Sequence, residues 1–184
     1  MDIIKYLPPH IKDFVVCIIK TGSQLFCANC KDSDYLIITK EFPLVRAYHI
    51  NELKADCFLR SIDEFKAEIT DDKWRYKLCA CLAYQNPENV VYGELPTLET
   101  DIFSRDYLLK VSQMEYEHAK KTYFIRYPSK AMVWGLALRY VLENESFIFT
   151  DEQKALLQQC HDLELPETHR DQLKIYLEQL NTTE

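Results

Sequence analysis

Glycine is nearly absent from this 184-residue chain, and one of its three glycines opens the pair Gly22-Ser23, just beyond the apolar run Phe14–Ile19. A glycine kept at such a place supplies backbone freedom, or a close backbone approach, that other residues forbid. Asp34 then leads a second apolar run, Tyr35-Leu36-Ile37-Ile38, with Asp32 two residues before it, and Asp56 leads Cys57-Phe58-Leu59. A glycine bend can present backbone N–H groups and the Ser23 hydroxyl to a phosphate. Carboxylates supply the hard oxygen ligands that Mg²⁺ prefers. Acids two apart on a strand share a face. Such residues beside a bend would form a metal and phosphate pocket at one edge of a sheet.

The elements that must position them are short. Residues 13–20 and 34–39 read as buried strands, being rich in Val and Ile. Residues 44–50 and 56–59 are two further strand candidates, separated by Asn51-Glu52-Leu53-Lys54. Pro8-Pro9 ends a short helix over 2–6. Ser61 and Glu64 form a capping box that opens a helix over 62–69. A second helix spans 73–84, with Trp74, Leu78, Cys81 and Leu82 on one stripe, and Gln85-Asn86-Pro87 stops it. Val90-Val91-Tyr92 is a short β-like piece. From Ser104 the pattern is helical: from Ser104 or Asp106 to about 123, 128–143, a start at Thr150 leading to Cys160, and a last helix from Pro166. The expected fold is α/β (α+β), a small mixed sheet flanked by helices. It occupies residues 1–100, with a helical region over 101–184 packed on it.

The order of strand, Gly-Ser turn, short segment and acid-bearing strand resembles the DNA polymerase β-like nucleotidyltransferase superfamily. The run Lys31-Asp32-Ser33-Asp34-Tyr35 looks closest to a bacterial and phage branch of predicted nucleotidyltransferases, and Asp56–Phe65 looks like that branch's third-acid strand and following helix. The resemblance covers roughly residues 14–65; beyond it, Pro128-Ser129-Lys130-Ala131-Met132 echoes the start of a later family helix. It implies a sheet of nucleotidyltransferase type, Mg²⁺ as cofactor and an NTP as substrate. Asp34 and Asp56 would be catalytic and metal-binding, with Asp32 a shifted metal ligand, and Gly22, Ser23 and Lys130 would bind the nucleotide. The family acid that bridges two metals falls on Leu36, so the active site is degenerate there. Two functions follow. One is transfer of a nucleoside monophosphate to a hydroxyl on RNA, protein or a small molecule. The other is a catalytically inactive relative that binds a protein partner, as a phage- or plasmid-encoded inhibitor would.

A formal charge of −7 and a pI near 5.3 argue against a general polyanion binder. No apolar run reaches membrane-spanning length, and the N-terminus lacks the order of a signal peptide. Seven scattered cysteines suit reduced thiols in a cytoplasm. Cys27-x-x-Cys30 reads as loop or core, since structural zinc wants four ligands. The five histidines are dispersed and show no nucleophilic arrangement. The basic positions His118, Lys120, Lys121, Arg126 and Lys130 read first as a solvated helix face, the alternative being a face turned to the pocket that binds triphosphate or RNA phosphates; the aromatics Tyr123, Phe124, Tyr127, Trp134 and Tyr140 read as core.

Overall fold

The computed structural model describes residues 3–30, 32–70 and 77–99, single positions between 104 and 146, and residues 148–162. The chain divides into two compact units, one of residues 1–25 and 29–101, the other of residues 26–28 and 102–184.

The first unit is mixed α/β. Its strands are β1 (Val15–Thr21), β2 (Ser33–Thr39), β3 (Ala47–Ile50), β4 (Ala55–Ser61) and β5 (Val90–Gly93), and its helices are α1 (Pro9–Lys12), α2 (Ile62–Thr70) and α3 (Lys77–Gln85). The sheet order is β3-β4-β2-β1-β5. Every neighbouring pair is antiparallel except β2 and β4, which run parallel.

Alternation sorts each strand's side chains onto two faces. One face carries Ile18, Tyr35, Ile37, Cys57 and Leu59, packed with Ile3, Ile4, Leu7 and Ile11 from the N-terminal segment. The other carries Cys17, Ile19, Leu36 and Ile38, all without solvent exposure. α2 lies over β4 and β2, and α3 over β1. Arg60 and Glu68 lock β4 to α2, the guanidinium Nε standing 2.9 Å from both carboxylate oxygens.

Local chemistry explains several boundaries. The capping box forms as expected: Ser61 Oγ accepts from the Glu64 N–H at 3.2 Å, and Glu64 Oε2 accepts from the Ser61 N–H at 3.0 Å. Arg46 adds a second clamp, its guanidinium forking onto the Glu64 carboxylate. The strand expected over 44–50 begins only at Ala47, and Leu44, next to Pro43, is 98% exposed. Pro9, expected only to end a helix, sits at the start of α1, where its missing N–H costs nothing. The helix expected from residue 73 is described from Lys77; residues 71–76 lie outside the described residues.

Arg46, and after it the Ser61 N–H, holds the Glu64 carboxyl below the ordinary glutamate value of 4.5 despite partial burial. A depressed carboxyl stabilises the fold above its unfolded value, and that contribution fades as pH falls through the folded one. Glu64→Gln keeps a capping side chain and loses the charge. Urea unfolding at pH 7 should find it about 0.5–1 kcal/mol less stable than wild type, with the two curves converging as pH drops below the glutamate range.

In the second unit, Phe149 is buried and meets the rings of Phe26 and Tyr140 edge-on, at 5.7 and 6.4 Å. Thr150 and Gln153 make the second capping box and open α4 (Asp151–Asp162). Leu157 and Cys160 are its buried residues, and the Cys27 thiol donates to the Leu157 carbonyl at 3.7 Å. The expected helix from Pro166 lies outside the described residues.

Candidate functional site

β1 ends at Thr21, and the chain turns at once through the 3₁₀ segment Gly22–Leu25. Gly22 has φ +69°, in the left-handed region that side chains disfavour. A Cβ built on it would lie 2.2 Å from Asp34 Oδ2, so the Asp34 carboxylate fills the space that glycine leaves. The freedom and the close approach are therefore needed at the same residue. Gln24 ties the turn back, its Nε2 donating to the Asp34 backbone carbonyl. Ser23 Oγ donates to Cys30 Sγ at 3.5 Å, which closes the loop between β1 and β2 and leaves the serine lone pairs as acceptors.

Register decides what Asp34 faces. Its partner across the antiparallel pair is Thr21, and across the parallel pair it is Asp56. Asp56 is in turn the register partner of His49. Cross-strand partners share a face. His49, Asp56, Asp34 and Thr21 thus form one polar row across β3, β4, β2 and β1, on the face that carries α2 and α3. The next row along the strands is apolar: Ala47, Phe58, Leu36 and Ile19.

Charge and burial vary sharply along this row. Asp34 and Asp56 are register partners on adjacent strands, so their like charges lie side by side. Their field is felt across the sheet: burial first, then Asp56 and Asp34, pushes the Cys57 thiol up to about 12. His49 Nδ1 donates to Asp56 Oδ1 at 2.7 Å, with both side chains about half exposed. At the other end Thr21 is 1% exposed, and its Oγ1 has no hydrogen-bond partner.

This donor set suits one hard divalent cation. Mg²⁺ is commonly held by one or two carboxylates, with waters and substrate phosphates completing its shell. The unpartnered Thr21 hydroxyl and the Asp34 carboxylate against Gly22 are oxygen donors of the same hard kind. Position 36, the next on this face of β2, is a fully buried leucine and offers no oxygen ligand. Among the described residues no three His, Cys, Asp or Glu side chains are grouped to hold a metal ion.

Of the residues named from sequence, Gly22 and Ser23 turn at the end of β1, the Asp34 carboxylate lies against Gly22, and Asp56 is the register partner of Asp34 on β4. Asp32 is an exposed bend residue ahead of β2, outside the strand register. Lys130 and the basic positions 118–126 lie outside the described residues. Thr21, Gln24 and His49 escaped sequence reasoning. Thr21 and Gln24 flank the Gly-Ser pair and were findable by proximity; His49 required the register of an edge strand. Comparison with protein-family models, curated proteins and solved structures finds no match. Among the described residues no helix is long and apolar enough to cross a membrane.

Proposed function

We propose that the first unit is a nucleotidyltransferase-type domain that binds the triphosphate end of an NTP through one divalent cation. The observation that carries this reading is the register pairing of Asp34 with Asp56 on adjacent parallel strands, beside the Gly22 bend. A row of carboxylates repels bare phosphate, so binding there calls for a cation between them. Asp34 and Asp56 would hold it, and when bound it would neutralise the phosphate oxygens as a Lewis acid. The Gly22-Ser23 turn lies against Asp34 and offers backbone N–H groups to the phosphates. His49 fixes one oxygen of Asp56 and leaves the other for the cation. Gln24 holds the turn against β2, and the buried row at Leu36 closes the inner side of the site to water.

Transfer of the nucleoside monophosphate to a hydroxyl acceptor is weak or lost on this reading, since Leu36 stands where the bridging acid belongs. Calorimetry with full-length protein should register Mg-NTP binding that disappears with EDTA. Binding should weaken by tenfold or more in Asp34→Asn, as removal of a charged partner implies. Silence at millimolar Mg-NTP, or equal binding by Asp34→Asn, would overturn the reading.

The rival reading, an inactive relative that docks a protein, is favoured by the complete burial of Leu36. The exposed apolar pair Phe42 (63%) and Leu44 (98%) between β2 and β3 also favours it. That reading inherits the site if no nucleotide binds.

A further inference from the structure

The orphaned hydroxyl of Thr21 has a use. We infer that Thr21 Oγ1 is the third protein ligand of a single-cation site, with Asp34 and Asp56, and that it stands in for the acid missing at position 36. His49 is the positioning residue that orients Asp56. The inference rests on the cation-dependent nucleotide reading above and specifies how the cation is held.

Four observations converge. Thr21 is the register partner of Asp34, as Asp56 is on the other side, so the three side chains issue from three adjacent strands on one face. Thr21 is 1% exposed and its hydroxyl lacks a hydrogen-bond partner, the one such buried side-chain atom among the described residues. A buried hydroxyl with no partner is costly unless something outside the chain supplies one. Gly22, immediately after Thr21, is open on the side where the Asp34 carboxylate lies, which keeps that carboxylate beside the end of β1.

The donors are all hard oxygens: two carboxylates and one hydroxyl. Such a set selects Mg²⁺ or Mn²⁺ over softer metals. Hydroxyl ligation of Mg²⁺ by Ser or Thr at a phosphate-binding turn is familiar chemistry. His49 donates to Asp56 Oδ1 and so sets the carboxylate's orientation; outer partners of this kind typically govern metal affinity by roughly 10- to 100-fold. The site takes one cation, because the position that would extend it along β2 is the buried Leu36.

The test titrates Mn²⁺ alone into full-length protein, read by electron paramagnetic resonance of the free ion, with Tm measured in EDTA. Wild type should take up one Mn²⁺ per chain. Thr21→Val keeps the shape and removes the oxygen. It should lose at least the roughly tenfold that loss of an outer-shell partner costs, and its metal-free Tm should rise, because an unpaired buried hydroxyl has gone. Thr21→Ser should retain Mn²⁺ binding. Opposed changes in metal affinity and Tm are not produced by a hydroxyl that merely packs. If Thr21→Val binds Mn²⁺ as wild type does while Asp34→Asn does not, the inference falls and the nucleotide reading stands. A lower Tm in Thr21→Val would equally overturn it, since the hydroxyl would then have a partner within the fold. If wild type takes up no Mn²⁺ with or without NTP, both fall together.

Discussion

Gly22→Ala should destroy Mg-NTP binding while costing the fold only about 1–3 kcal/mol, the range for a side chain forced into a left-handed backbone. Two terms act at this residue and they fall on different properties. The φ of +69° strains any added side chain, and that strain appears as lost stability. The new Cβ also lands 2.2 Å from Asp34 Oδ2, the far end of a side chain that can rotate away. The clash is therefore relieved by moving the carboxylate, and its consequence is lost binding more than lost structure.

Gly93→Ala supplies the control. It too has positive φ (+68°), but its Cβ would meet the Val16 backbone carbonyl at 1.9 Å, inside the β1–β5 ladder. Backbone cannot swing aside as a carboxylate can. This variant should lose more stability than Gly22→Ala, and what folds should still bind nucleotide. Urea unfolding and calorimetry on the two variants check the contrast. The opposite ranking of binding would mean that Gly22 serves only the turn.

The same residues show how far the sequence could be read. Both capping boxes, Ser61 with Glu64 and Thr150 with Gln153, were legible because each is a hydrogen-bonded pair within one turn. Gly22 was legible through scarcity. Strand existence was also readable, since short runs of Val and Ile have few other uses. Register was not. That Asp34 faces Asp56 follows from β4 entering beside β2 with β3 turned to the outside, a crossover that no local pattern encodes. His49 joins the row only because β3 pairs antiparallel with β4. On the sequence it is one of five scattered histidines. Leu44, apolar and followed by Val45, promised a strand residue. It lies outside β3, which pairs only from Ala47 onward, and is 98% exposed. Thr21, one residue beyond the strand read over 13–20, stands out only once its burial and missing partner are seen together.

Leu36→Asp should be the most disruptive change in the first unit, and the most informative. Leu36 has no solvent exposure and sits in register between Ile19 and Phe58. Removing its branched side chain from such a row costs about 2–5 kcal/mol. A carboxyl placed there without a partner adds a desolvation penalty, which protonation relieves in part by raising its pKa. Without metal the variant should therefore be destabilised by about 4 kcal/mol or more, with strongest effect at alkaline pH, where the acid is driven to ionise. Residue 36 shares a face with Asp34, one pleat further along β2. If position 36 lost a ligand and nothing else, Mn²⁺ should raise the variant's Tm by more than it raises wild type's, because the cation binds only the folded form and relieves the buried charge. Metal-dependent NTP turnover absent from wild type should appear alongside. A variant that Mn²⁺ fails to rescue would mean that the core has closed around Leu36 and that an acid at this position cannot serve as a ligand. On the nucleotide-binding proposal, the chemistry would then be limited to what a single cation on Asp34 and Asp56 could support.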